Sequence, residues 1–276
     1  MVRKILACLP FLLAACDEGL RTVPQAGEFR PMRIVSLDYC ADQYVLKLVE
    51  PERILALSRD AAREFSYLRD LAAGMPTVRP VAEDVLVLGP DLVVRSYGGG
   101  PNAAAFYARA GVAVLNVGNA NTIDEVMSVM ADVAAGLDEP ERGQAVIEET
   151  RQRLASLPES GPESRTLYMT PGGVTTGPGS LVHEMLIAAG LQNFQQTPGW
   201  RPIPLELLAF EAPELVAFAT FGASAAHQDA WSAMRHPIAR TQLADREVVP
   251  LQGAWTACGG WFLLDAVEAL ARGATQ

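Results

Sequence analysis

Residues 83–93 read EDVLVLGPDLV and residues 206–216 read ELLAFEAPELV. The two stretches lie over one another without a gap. Each opens on a glutamate (Glu83, Glu206), runs through a short helical pattern, turns at a proline (Pro90, Pro213) and passes into an apolar stretch that reads as buried strand. The flanks agree. VVRS and VAFATF continue the strands, and each gives way to a glycine-containing loop, Tyr97-Gly98-Gly99-Gly100 and Phe221-Gly222. A repeat with matching flanks predicts two similar lobes in the 276-residue chain.

Outward from the repeat, strands are expected at Arg33–Leu37, Ile54–Leu57, Asp91–Ser96 and Val112–Val117, and in the second half at Thr166–Thr170, Leu215–Phe221 and Glu247–Leu251. Helical patterns fill the intervals, and Gly260–Ala271 closes the chain as an amphipathic helix. Short apolar strands alternating with helices predict mostly parallel sheets covered on both faces, an α/β fold. Between the halves, Thr122 and Glu125 form a capping box. Apolar positions recur at helical spacing from Ile123 to Leu137, and after a break near Asp138-Glu139-Pro140 a charged pattern runs from Glu141 to Leu157. A helical connection of this kind is stiff, unlike a Gly/Ser linker.

At the N-terminus, Arg3 and Lys4 precede an apolar run from Ile5 to Leu13. A membrane span needs roughly 20 apolar residues, so this run fits a secretory signal instead. It ends in Leu13-Ala14-Ala15-Cys16, which resembles the lipobox of bacterial lipoproteins, where the cysteine is acylated and the chain is cut before it. An ordinary cleavage site also ends in small residues. Two or three acyl chains anchor stably, and Asp17 resembles the signal that keeps such proteins in the inner membrane. The expected organisation is signal 1–16, tether 17–32, N-terminal α/β lobe 33–124, linking helical segment 125–160 and C-terminal α/β lobe 161–276. Removing residues 1–16 takes away two positive charges and no acid, moving the formal charge from −10 to −12. An acidic chain without a basic cluster argues against nucleic acid as a partner.

RIVSLDYCADQ at the first strand, EDVLVLGPDLVV, the VGNANTIDEV entry to the linking helix and GGVTTGPGSLVHEMLIAAGLQNF occur in that order. With them, residues 33 to 273 resemble the periplasmic binding proteins for cobalamin and ferric siderophores that serve ABC importers. The resemblance implies two Rossmann-like lobes bridged by a long rigid α-helix, with ligand held between them. It also implies a monomer, lipid-anchored in the periplasm, that delivers a cobalt- or iron-containing chelate to a permease dimer with its ATPase. In that family one surface glutamate per lobe docks on the two permease subunits, and Glu83 and Glu206 occupy the matching positions. The plainer reading is a favourable charge at a helix start, worth about 0.3–1 kcal/mol each.

A cleft lined by the loops after strand ends makes Tyr39, Arg59, Tyr97, Trp200, Phe221 and Trp255 the candidate ligand contacts. Aromatic rings offer flat apolar faces to a planar chelate, although each ring alone also fits core or rim packing. Trp261 reads as core. The short loop from Asp38 to Gln43 carries little basic charge, although Arg59 and Arg95 are placed to meet an anionic chelate, and this favours a corrinoid or neutral chelate. Cys40 and Cys258 both fall in cleft loops. Three readings stay open for them: a disulfide, as export favours, thiols facing the ligand or metal, or separate buried thiols.

Catalytic motifs are missing from the sequence. His183-Glu184 lacks a second histidine at helical spacing, GPGSLV is not a nucleophile elbow, and no Lys-Ser/Thr follows Gly98-Gly99-Gly100. His183, His227 and His236 are widely spaced and form no metal-ligand pattern. Neither a resident cofactor nor a metal site is expected. The alternatives to chelate delivery are a metal-ion-binding protein of the related rigid-helix type and a tethered ligand sensor without a transport role.

Overall fold

A computed structural model describes residues 30–158, 164–222 and 232–274. In the first lobe the chain runs β1 (Ile34–Ser36), α1 (Tyr39–Leu48), β2 (Ile54–Ser58), α2 (Arg69–Ala72), β3 (Thr77–Val78), α3 (Ala82–Leu86), β4 (Leu92–Arg95), α4 (Ala103–Arg109) and β5 (Ala113–Asn116). The five strands form a parallel sheet in the order β3-β2-β1-β4-β5. After α5 (Ile123–Gly136) and α6 (Pro140–Ala155) come β6 (Arg165–Met169), β7 (Val174–Thr176), α7 (Leu181–Ala188), β8 (Gln192–Asn193) and β9 (Trp200–Pro202). The second lobe is completed by α8 (Leu205–Leu208), β10 (Leu215–Thr220), α9 (Pro237–Asp245), β11 (Glu247–Gln252) and α10 (Leu263–Gly273). Its main sheet is parallel, ordered β11-β10-β6-β8, and β7 pairs antiparallel with β9 in a separate ribbon.

The repeat is structural. The orders β2-β1-β4-β5 and β8-β6-β10-β11 are the same arrangement written twice. Leu92 of β4 pairs with Ile34, and its counterpart Leu215 of β10 pairs with Thr166. Alternation along each strand buries both faces, as a parallel sheet requires. In β4, Leu92 and Val94 face one core while Val93 faces another. In β10, Leu215 and Ala217 face one core while Val216 faces the other.

The single bridging helix implied by the resemblance is instead a helical hairpin. Asp138 takes a left-handed conformation (φ 59°) just past the end of α5, and Pro140 opens α6. The two helices pack closely at Gly143, where a Cβ would stand 2.3 Å from that of Ala134. Each helix serves both lobes. Val126 lies in the second lobe's core and Val129 to Leu137 in the first's. On α6, Val146 and Ile147 belong to the first core, whereas Leu154 packs against the second. Arg142 donates to Leu48 O at 2.8 Å and pairs with Glu50. At the other end Arg153 reaches Asp265 and Glu268 of α10 at 2.6 and 2.7 Å. The hairpin corner is held by buried Arg53, which pairs with Glu139 and donates to Leu137 O at 2.8 Å.

Residues 30–32, expected in the tether, are fastened to the first lobe. Pro31 O accepts from Arg53 Nε at 2.8 Å, and Met32 N donates to Asp91 at 2.9 Å. Cys16 and the signal lie outside the described residues. Among the described residues no helix is long and apolar enough to cross a membrane.

Candidate functional site

Strand ends from both lobes meet over two adjoining hollows of about 470 and 240 Å³. Tyr39, Tyr97 and Asn119 line the larger; Ser180, Trp200 and Trp255 line the smaller. Ala120, Asn121, Ala257, Cys258 and Gly259 border both, so the hollows form one cleft.

Asp38 organises the first lobe's wall. It caps α1, with Oδ1 accepting from Ala41 N at 3.0 Å. Its Oδ2 accepts from the N–H groups of Ser96, Tyr97 and Gly98 at 2.7, 3.0 and 2.8 Å. One buried carboxylate therefore fixes both loops that carry the tyrosines. Gly98 permits this approach, because a Cβ there would lie 2.6 Å from the Leu37 carbonyl oxygen. Tyr39 meets Tyr97 edge-on at 6.1 Å and Phe65 at 4.8 Å. Burial raises both phenols above their ordinary pKa, with Asp38 and Asp60 adding to it. Both therefore stay protonated, as hydrogen-bond donors, at neutral pH.

The second lobe contributes two tryptophans. Trp200 stands on β9, 59% exposed, edge-on to Tyr168 at 6.1 Å. Trp255 lies in the turn after β11, half-buried against the second core. Ser180 caps α7 and lines the cleft, accepting from His183 N at 3.2 Å.

Two expected contacts lie elsewhere. Phe221 turns inward: its ring fills the space beside Gly253, where a Cβ would meet it at 2.5 Å. Arg59 is exposed, and its charge acts on Asp84, whose carboxyl Arg79 already holds below its ordinary pKa. Arg95 is also withdrawn, donating to the carbonyls of Gly98 and Gly100 at 2.6 and 2.9 Å. No Lys, Arg, His, Asp or Glu is among the described residues lining either hollow. His183 faces Asn193 and His236 caps α9, while His227 lies outside the described residues. Among the described residues no group of three His, Cys, Asp or Glu side chains is placed to hold a metal ion.

The cleft floor joins the lobes. Cys40, in the first turn of α1, forms a disulfide with Cys258, 218 residues away, with Cα atoms 5.6 Å apart. Tyr44 donates to Gly259 O at 2.9 Å, and Tyr67 donates to Asp265 at 2.8 Å. Trp261 is core, as its sequence reads, but in the opposite lobe: it packs edge-on to Tyr44 at 5.5 Å, and Phe262 stacks on Tyr67 at 4.7 Å.

Asp38, Asn119, Asn121 and Ser180 escaped the sequence reading. Asp38 carries a helix-cap signal, and the asparagines follow a strand end. In sequence such residues look like ordinary turn formers.

Two parallel-sheet lobes of one topology, fixed together at the floor of an aromatic-lined cleft, define a bilobal ligand-binding protein. The profile of the periplasmic binding protein family matches residues 34–235, and the chain belongs to that family. It is a binding protein, not an enzyme. Similar solved structures include the periplasmic heme-binding protein BhuT in complex with two hemes (23% identity, 90% of this chain and 98% of that one, TM-score 0.68). The heme-binding protein RhuT from Roseiflexus sp. RS-1 aligns at 20% identity over 88% and 98% of the chains, TM-score 0.69. The vitamin B12 binding protein BtuF of Vibrio cholerae aligns at 22% over 90% and 98%, TM-score 0.61. No curated protein sequence matches the chain.

Proposed function

We propose that this chain captures a metal chelate in its interlobe cleft and delivers it to an ABC permease, while anchored to the inner membrane through lipid on Cys16. The carrying observation is the wall chemistry: five aromatic side chains, amides and hydroxyls, with no formal charge among the described lining residues. Such a wall suits a broad, apolar ring system with peripheral hydrogen-bonding groups, and offers nothing to neutralise a carboxylate pressed against it. Similar structures are named for heme and for vitamin B12. Within that range the absence of charge among the described lining residues favours a corrinoid, or another chelate with neutral periphery, over an anionic siderophore. Glu83 and Glu206 supply one exposed docking charge per lobe.

Native mass spectrometry of the protein taken from its own host identifies the cargo. Titration with cyanocobalamin and with ferric heme then ranks the two chemistries, and cobalamin is expected to bind more tightly. Tyr97→Ala and Trp255→Ala should each weaken binding by about 1–3 kcal/mol, with the unliganded melting temperature nearly unchanged. Tight binding of anionic chelates alone would overturn the preference for a neutral periphery. Loss of stability with normal binding would return these rings to the core.

A further inference from the structure

We propose that Val87 and Phe210 are the apolar halves of two matched docking patches, each completed by the glutamate one helical turn earlier, that seat on two like permease subunits. The inference rests on the delivery reading above and adds to it a contact that charge alone does not supply.

Glu83 and Val87 are four residues apart, as are Glu206 and Phe210, and the alignment of the repeat sets one pair on the other. Residues at this spacing are neighbours on a helical surface. The turn of α3 continues through Val87, which keeps a right-handed helical conformation, and that of α8 continues until Phe210 N meets Leu207 O at 3.0 Å. Between the paired positions Val85 and Leu208 point the other way, into the outer cores of their lobes. Val87 is left 84% exposed and Phe210 92%. A lone exposed apolar side chain is ordinary on a protein surface. Two at equivalent places in a duplicated fold, each beside an exposed glutamate, call for a common cause.

Part of the surroundings repeats on both lobes, namely the strand-start arginine and the backbone bond beside it. Neither Glu83 nor Glu206 has an ion-pair partner among the described residues, although neighbouring acids do. Asp84 is held by Arg79 at 2.8 Å through Nη2, and Glu211 by Arg165 at 2.7 Å. An arginine at the start of the adjacent strand braces each turn: Arg33 donates to Gly89 O at 2.7 Å, and Arg165 takes Glu211. Backbone bonds repeat too, Asp91 N to Arg33 O at 3.0 Å and Glu214 N to Arg165 O at 2.8 Å. A braced surface loses little freedom on binding.

Duplication selects the partner. A patch repeated across two lobes of one topology fits a body with two-fold symmetry, such as a pair of like membrane subunits. Contact with lipid or with a second copy gives no reason for a glutamate at the same offset in both lobes. The glutamates steer the encounter, and the apolar side chains enter sockets that exclude water and slow dissociation.

The test uses the permease–ATPase complex of the same host in lipid nanodiscs, with the unliganded binding protein in solution and interferometry at low and high salt. Val87→Ser with Phe210→Ser should weaken binding by about tenfold or more, mainly through faster dissociation and at both salt concentrations. Glu83→Gln with Glu206→Gln should slow association and flatten its salt dependence. Leu71→Ser, which changes another exposed apolar side chain (60%), should bind as wild type, and every variant should melt as wild type. Weakening by the glutamine pair alone overturns the apolar contact and leaves glutamate docking standing; no change in either pair overturns both. Phe210-dependent binding to protein-free nanodiscs, or a Phe210-dependent dimer in sedimentation, assigns the patch to another occupant and overturns the inference.

Discussion

At the cleft floor, groups from both lobes are paired with one another: Cys40 with Cys258, Tyr44 with Gly259, and Trp261 within the facing lobe's core. On the outer surface, α3 and α8 leave Glu83, Val87, Glu206 and Phe210 in water on braced turns. The same two lobes thus spend their complementarity inward at one place and hold it in reserve at the other. A cleft whose floor is pinned keeps its shape without ligand, so affinity is not spent on closing it. Reserved surface groups cost little stability, since their burial awaits a partner.

The sharpest way to break this contrast is Trp261→Ala. The ring is 6% exposed and belongs to a loop of one lobe packed in the core of the other. Its removal should cost about 3–5 kcal/mol, read as a lowered midpoint in denaturant. A loss comparable to that of a Val87 or Phe210 variant would mean that the floor does not hold the lobes. Next in size is the pair Cys40→Ala with Cys258→Ala. A cross-link between residues so distant in sequence restricts the unfolded chain strongly, and its loss should cost about 2–4 kcal/mol. Tyr44 and Tyr67 still bridge the lobes in that variant, so chelate affinity should persist while melting falls. Affinity lost along with stability would make the disulfide part of the binding geometry.

Periodicity reported what is local. Strands β1, β2, β4 to β6, β10 and β11 are apolar runs and were readable. Strands β3 and β8 are two residues long and β7 and β9 three, too short to show a period. The break near Asp138 was visible, but whether the chain there bends slightly or folds back depends on one left-handed residue and on the Gly143–Ala134 approach, which link positions far apart around the turn. Placement of the cleft followed from topology, since loops after parallel strands face the ligand side. Direction within a loop did not: Phe221 follows a strand end yet fills the gap beside Gly253. Trp261 was legible as buried, but not as buried in the other lobe, because that depends on how the lobes meet.

The smallest effect comes from Asp42 and asks whether the floor melts as one body. This carboxyl is fully buried in the first turn of α1, between Cys40 and Tyr44, which both reach across to the second lobe. Burial pushes its pKa up from 3.8 to about 6, against hydrogen bonds from Ser58 that favour the ionised form. Below pH about 4 the group is protonated in both states. Between about 4 and 6 the folded protein binds more proton than the unfolded chain, so this group's contribution to stability falls as pH rises and levels off above 6. The loss is at most about 3 kcal/mol. Acids held low by arginine, such as Glu268 beside Arg153, act in the opposite sense at lower pH, where protonation removes their pairing. Asp42→Asn keeps the shape and can still bond to Ser58 while removing the titration. The stability of Asp42→Asn minus that of wild type should therefore rise between pH 4 and 7, by an amount up to that limit. If the floor unites the lobes, the shift should appear in one unfolding transition reported equally by tryptophan fluorescence and far-UV circular dichroism. A shift confined to part of the signal would show the first lobe titrating and melting by itself, and a pH-independent difference would remove Asp42 from the account.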